Sequence, residues 1–463
     1  MWVEGKAECN CQICQTHKGF QLPYEIIEAA KNERLVLFCG AGISTESKSV
    51  MPSSFYSEIH DYLNSNYQLD LEYDLEFSEL MTLFTQKVYN GNKELINRVK
   101  SRFDYINSFP ELRRSATTFH RELAKIPQIK TIVTTNWDTY FEEECNAAPI
   151  IYNEDVPFWD TVDRRVFKIH GSINNVGSIV ATQKDYIDCY KRLSSEPIGD
   201  RLKTILASDT VVFIGFSFGD EDLNKILEIL SSKLGSFANQ FYVVTLDENW
   251  KSAQREDLKP IITDGTFFLH SLKNKLIDDG VLYNHDIYLR AKFLRDKITT
   301  EHTQVLAKEE YLGKQLTRFP ELYLIHAYQD GLIHGYEYCI NNRPSGSYLY
   351  KDYILTHFHG YHELIHESKN AGDWKSIYYF TGYQMSLLSL LLSLENDEIN
   401  YPPSYIYIDE NNIEDFLEFE SIEEYILFLQ TENLSETKRE KIRHITQGFP
   451  TDSIPHTPPW PIR

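Results

Sequence analysis

Leu35-Val36-Leu37-Phe38-Cys39 runs straight into Gly40-Ala41-Gly42. No other stretch of this 463-residue chain restricts its fold as tightly. Five apolar residues stopped by a bare-backbone turn suit a strand buried on both faces, and such strands belong to parallel sheets covered by helices. Glycine has no Cβ, so a phosphate can approach the turn closely, and a helix beginning there would add unpaired N–H groups and a positive dipole end. The G-x-G-x-x-G dinucleotide fingerprint is incomplete, because Thr45 stands at its third glycine. A tight strand-to-helix turn with no ligand remains open at this point.

Further strand-like runs follow at 131–136 (TIVTTN), 165–171 (RVFKIHG), 210–218 (TVVFIGFSF) and 240–246 (QFYVVTL). Each is rich in β-branched or aromatic residues. Between them the pattern is helical: 25–32, most of 55–128, and the amphipathic 221–234. This is the order of an α/β domain with a Rossmann-like parallel sheet and helical insertions. From about residue 286 the chain reads as helices, 286–340 and 348–394, divided by the turn NNRPSGS at 341–347. The apolar run 377–394 contains three Ser, a Gln and a Thr, which suits a buried helix better than a membrane span. The acidic stretch 408–425 reads as an exposed helical face. The last sixteen residues hold five prolines and cannot continue a helix. The expected division is a Cys-rich segment 1–24, an α/β domain 25–285, and a mainly α-helical domain 286–463 with a Pro-rich tail.

Polar clusters stand where the predicted strands end. Asn136 and Asp138 close one, His170-Gly171 another, and Gly215, Ser217 and Asp220 a third. Ligands of open parallel sheets bind outside the carboxyl ends of the strands, so these clusters and the glycine turn should meet in one crevice.

In that order, GAGIS, T-x-N-x-D, H-G and G-x-S, the residues resemble the sirtuin (SIR2-like) family over about 30–285. The resemblance implies that Gly40, Ala41, Gly42 and Ser44 cradle the phosphates of NAD+. It implies that Asn136 and Asp138 line the nicotinamide and ribose pocket, that His170 acts as a base near the ribose, and that Gly215 and Ser217 hold the adenosine side. Two departures matter. The G-I-P-D-F-R run of protein-deacetylating sirtuins is replaced by TESKSVMPSSFYSEI at 45–59, and between 40 and 285 only Cys145 and Cys189 remain, with no C-x-x-C pair for the zinc module. The pattern is therefore more similar to bacterial SIR2-like effectors of antiphage defence, which cleave NAD+, than to an NAD-dependent protein deacylase. The expected reaction is hydrolysis of the nicotinamide–ribose bond, with Asn136 and His170 catalytic. Biological logic adds a homo-oligomer and an activating partner, a sensor or an ATPase.

The composition fits this and excludes other classes. With 46 basic and 68 acidic side chains the net charge is −22, which disfavours direct nucleic-acid binding. The N-terminal MWVEGKAECNC has no apolar leader, and seven cysteines suit a reducing cytoplasm. Cys9, Cys11, Cys14 and His17 offer four N/S ligands within nine residues, enough for a structural zinc, though reduced thiols in a loose arm fit equally well. Three rival readings stay open. Gly215-Phe-Ser217-Phe-Gly219 has the G-x-S-x-G form of a serine hydrolase, with His270 and His285 downstream. His362-Glu-Leu-Ile-His366 matches H-E-x-x-H of metalloproteases, near His357 and His359, but Lys369 replaces the glycine of the longer motif. The crevice could also serve a non-enzymatic nucleotide-sensing interaction protein.

Overall fold

The runs that read as buried strands form one seven-stranded parallel sheet in the computed structural model. The structure describes residues 2–3, 19–47, 50–216, 221–231, 241–247, 258–282, 286–303, 315–395, 400–409, 413, 415–431 and 436–447. Two compact units divide the chain: Met1–Leu282 with Pro344–Gly346, and Tyr283–Arg343 with Ser347–Arg463.

In the first unit, β1 (Trp2–Val3) and β2 (Phe20–Gln21) pair antiparallel, and Phe20 packs edge-on to Phe267 at 5.6 Å. The proposed ligands Cys9, Cys11, Cys14 and His17, which lie between these strands, fall outside the described residues. The large sheet contains β3 (Leu35–Cys39), β4 (Thr131–Thr134), β5 (Ala148–Ile150), β6 (Arg165–Lys168), β7 (Thr210–Ile214), β8 (Phe241–Thr245) and β9 (Leu258–Ile262). Its order is β5-β6-β4-β3-β7-β8-β9, and every pairing is parallel. Every residue of β3 and β8 is buried, as strands covered on both faces must be. Both edge strands carry a proline, Pro149 in β5 and Pro260 in β9, positions where the missing N–H leaves no ladder bond broken. These two short edge strands escape sequence reading because proline and exposed residues interrupt their apolar pattern.

From β3 the chain builds the sheet on one side through β4, β5 and β6, then returns to place β7 on the other side of β3. The switch point therefore lies between β3 and β7, where open α/β sheets bind ligands. Helices at Phe55–Tyr67, Phe77–Lys87, Gly91–Ser108, Pro110–Ala116 and Thr118–Leu123 fill the connection from β3 to β4. Their core of Phe55, Ile59, Leu63, Leu80, Phe84, Leu95 and Val99 also takes in Trp137 and Ile173, from the loops after β4 and β6. The helical insertion is thus anchored beside the carboxyl ends of the strands.

One expectation fails at the glycine turn. No long helix starts there. Ala41–Ile43 makes a single 3-10 turn, and the next helix begins at Phe55, capped by Ser54. A turn this short carries no useful macrodipole.

The second unit is mainly helical, with Ile287–Glu301, Leu322–Asn341, Lys351–Ala371, Trp374–Glu395, Ile422–Thr431 and Glu436–Thr446. The stretch 348–394 splits because Gly372, at φ +67, caps the helix before it in the left-handed region. The apolar run 377–394 is a helix packed on Leu322–Asn341 so closely that a Cβ on Gly331 would meet the Tyr379 carbonyl at 2.0 Å. No helix among the described residues is long and apolar enough to cross a membrane. The acidic stretch 408–425 is not one helical face: β10 (Tyr405–Ile408) and β11 (Phe416–Phe419) pair antiparallel before the helix Ile422–Thr431. The apolar Phe416, Leu417 and Phe419 let this segment pair as a strand despite the charge around it.

Candidate functional site

The loops at the carboxyl ends of β3, β4, β6, β7, β8 and β9 surround one cavity of about 2290 Å³. Ala41, Gly42, Asn136, Asp138, His170 and Gly215 all line it. Residues separated by up to 174 positions in sequence, Ala41 to Gly215, therefore share one wall. Ser217 lies outside the described residues.

The glycine loop is built against the loop after β7. The Gly40 amide donates to the Ile214 carbonyl at 2.8 Å, and the Gly42 amide donates to the Gly215 carbonyl at 3.0 Å. A Cβ on Gly40 would stand 2.6 Å from the Gly215 oxygen. Gly215 itself sits at φ +82, a conformation that favours glycine. The bare backbone thus first lets two loops meet. A phosphate would use what remains on their cavity side, where Ala41 and Gly42 form the wall.

Asn136 is placed by β3 as much as by its own strand. The Thr134 hydroxyl donates to the Cys39 carbonyl at 2.9 Å and accepts from the Asn136 amide at 3.0 Å. The Asn136 side-chain NH2 then reaches the Gly40 carbonyl and the Ser44 hydroxyl, both at 3.3 Å. With those partners fixed, its amide oxygen has no hydrogen-bond partner among the described residues, although the residue is 4% exposed. Ser44 is fully buried, and its hydroxyl donates to Asp138 at 2.9 Å. Its contact is with the acid and the amide of the second cluster. The other Asp138 oxygen accepts from the Tyr140 amide at 3.2 Å, capping the turn.

Lys168 lies under this network, fully buried, and bonds to the Asp138 carbonyl and to Glu142 at 3.0 Å. Burial pushes the Glu142 carboxyl up, although the Lys168 ammonium opposes the shift. His170 is 4% exposed, with its ring edge-on to Tyr186 at 5.1 Å. Gly171, at φ +81, turns the chain behind it. Arg102, from the helix Gly91–Ser108, donates to the Ser53 carbonyl at 2.8 Å and pairs with Glu46 at 3.0 Å, holding the segment after the glycine loop at the cavity wall.

Sequence reading passed over Lys168 and Arg102. For Lys168 a signal existed, a lone charge inside the apolar run Val166-Phe167-Lys168-Ile169. An arginine on an amphipathic helix such as Gly91–Ser108 reads as a solvated charge and gives none. The thiol of Cys39 at the end of β3 is pushed well up by burial and is no nucleophile.

The model of the SIR2-like domain matches residues 130–265, which include Asn136, Asp138, His170 and Gly215. Those residues match a SIR2-like domain. Curated relatives extend the similarity. The NAD(+) hydrolase ThsA of Cytobacillus dafuensis is 29% identical over 226 residues, 47% of this chain and 42% of that protein. The Defense-associated sirtuin 2 of Bacillus subtilis is 24% identical over 278 residues, 57% of this chain and 25% of that protein. The ThsA of Bacillus cereus (strain MSX-D12) is 25% identical over 261 residues, 55% and 52%. The chain spans between a quarter and about half the length of these relatives.

Of the serine-hydrolase motif, Gly215 lies on the cavity wall, while Ser217 and His285 are outside the described residues. His270 is held by Glu122 at 3.0 Å, and Lys273 joins the same carboxylate. His362 and His366 stand on the helix Lys351–Ala371 with their Nε2 atoms 3.2 Å apart, and Glu363 beside them is exposed. Among the described residues, neither histidine joins a group of three potential metal ligands.

Proposed function

We propose that this chain hydrolyses NAD+ to nicotinamide and ADP-ribose and serves as an NAD-depleting effector of antiphage defence. The observation that carries the reading is the Asn136 amide oxygen, buried without a partner among the described residues on the wall that His170 and the glycine loop share. Such an oxygen costs roughly 1–3 kcal/mol unless a ligand answers it. The N–H of the nicotinamide carboxamide, or a positioned water, would do so.

In this reading the C1′–N1 bond breaks with its electron pair leaving on nicotinamide. Water adds to C1′ through an oxocarbenium-like state and loses a proton to His170. Asn136 orients the carboxamide or the water, and Asp138, held by Ser44 and the Tyr140 amide, faces the ribose. Ala41, Gly42 and Gly215 flank the phosphates, with Gly40 supporting them from behind, and Ser217 belongs to the adenosine side. The names of the relatives, NAD(+) hydrolase and defence-associated sirtuin, support both the chemistry and the setting. We extend the reading to a cytoplasmic homo-oligomer whose helical half, or a sensor or ATPase partner bound to it, keeps the cavity silent until infection.

The test is nicotinamide release by the purified full chain, alone and with candidate partners. Release by wild type, lost in Asn136→Ala and His170→Ala with NAD+ binding largely kept, supports the proposal. NAD+ binding without release in every condition would instead establish a nucleotide sensor.

A further inference from the structure

In the second unit, two histidines and an aspartate that the proposed reaction does not use come together. His302 follows the helix Ile287–Glu301, and His326 and Asp330 lie one turn apart on Leu322–Asn341. His302 and His326 are each 4% exposed and Asp330 9%. One ligand atom from each falls within 4.8 Å of the others. The two imidazole rings stand 4.4 Å apart between centroids.

The hydrogen bonds around the cluster decide what it presents. The Gln329 NH2 donates to the Ser404 carbonyl at 2.9 Å, which can only accept. The Gln329 oxygen therefore faces His302 Nδ1, at 3.0 Å, and takes its proton. In a neutral imidazole this leaves a lone pair on Nε2, and Nε2 faces the Asp330 carboxylate at 3.6 Å. Two acceptors are thus turned toward each other in a buried place. A cation between them, either a second proton on His302 or a metal ion, would bind both.

Distance favours the metal. A charge-assisted N–H···O bond closes to about 2.7–2.9 Å. Two ligand atoms on a tetrahedral zinc, each about 2.0–2.1 Å from it, stand about 3.3 Å apart. The observed spacings are 3.6 Å for His302 Nε2 to Asp330 and 3.3 Å for His326 Nδ1 to Asp330. The His302–Gln329–Ser404 chain is also the outer-shell arrangement that fixes the tautomer of a metal-bound histidine. We propose that His302, His326 and Asp330 bind one divalent transition metal of the zinc class, with two nitrogens and a carboxylate as ligands and a position left for water. The ion would clip the end of one helix to the middle of another.

The test uses the full chain with Cys9, Cys11 and Cys14 changed to Ser, so that the N-terminal thiolates cannot contribute; the four cysteines left, Cys39, Cys145, Cys189 and Cys339, are buried. The protein is stripped by a chelator, reloaded with Zn2+ or Co2+, desalted and assayed for metal. The expected result is one equivalent per chain and visible Co2+ bands without sulfur charge transfer. Binding should be lost in Asp330→Asn and His302→Gln and be about 10–100-fold weaker in Gln329→Ala. Metal no higher than in Asp330→Asn would overturn the site and leave a protonated His302–Asp330 pair. Should the variants fail to fold, the cobalt spectrum of the parent protein decides alone: no visible bands overturns the proposal.

Discussion

Gly42 donates its amide to the Gly215 carbonyl at 3.0 Å, and a Cβ on Gly42 would stand 2.9 Å from that same oxygen. The two loops that diverge at the switch point of the sheet are therefore bolted backbone to backbone. Gly215→Ala should be costly on two counts, a left-handed φ of +82 and a Cβ 2.7 Å from the Gly40 carbonyl. The first alone costs about 1–2 kcal/mol. Gly280 provides the control, because it has a similar φ of +73 and nothing within 4 Å of its missing Cβ. Thermal melts should show Gly215→Ala losing clearly more stability than Gly280→Ala, with NAD+ affinity falling only in the former. Equal melting shifts would mean that loop contact contributes nothing.

The same loops hold Asn136, whose NH2 reaches the Gly40 carbonyl. Asn136→Asp keeps the shape, removes that donor and sets a second carboxylate beside Asp138. Under the proposed mechanism, turnover should fall about 10²–10³-fold, the usual loss of one positioned polar group, while KM moves little. Steady-state nicotinamide release measures both. A change confined to KM would reassign Asn136 to ground-state binding.

Much of this site is legible before any coordinates. Apolar runs ending in Gly40, Asn136, His170 and Gly215 mark strands whose carboxyl ends converge, because parallel order and one-sided loops leave them nowhere else to go. The sheet and the shared cavity follow from that. What sequence does not carry is how the loops use their atoms. The glycines suggest phosphate approach, yet two of their amides bond to Ile214 and Gly215. The helix expected after Gly42 is missing because that role depends on hydrogen-bond closure, which composition does not encode. The hairpin Tyr405–Phe419 was hidden by its acidic residues, which read as a solvated helix until pairing partners are known. Arg102 and the joining of His302 to His326 and Asp330 are long-range meetings, and only the i, i+4 spacing of the last two is visible locally.

Lys168 beneath the site makes a stability prediction. Its ammonium is fully buried and pairs with Glu142 at 3.0 Å. Lys168→Met strands a carboxylate whose own burial already pushes its pKa up. Breaking one side of such a pair costs about 3–5 kcal/mol, whereas replacing both can be nearly neutral. Denaturant melts should therefore show Lys168→Met strongly destabilised and Lys168→Met/Glu142→Gln recovering most of the loss. Additive losses in the double variant would count against a coupled pair.

Acid sensitivity should come from the neighbouring helix Thr118–Leu123. Burial among Phe119, Tyr140 and Phe141 lowers the His120 pKa from 6.5 to about 4. Between those values the unfolded chain binds a proton that the folded chain refuses. Stability therefore rises with pH across this window and is lost as pH falls from 6.5 toward 4, by about 3 kcal/mol in all. Glu122 adds a second loss at lower pH. Burial works to raise its pKa, but His270, Lys273 and Lys125 outweigh it and hold the carboxyl well below its ordinary value of 4.5. Its contribution is complete above that value and fades as pH drops beneath it. The two are separable: His120→Phe keeps a ring in the aromatic pocket and cannot titrate, so its melting temperature should change less than wild type's between pH 7 and pH 5. Parallel curves for the two proteins over that interval would remove His120 as the cause.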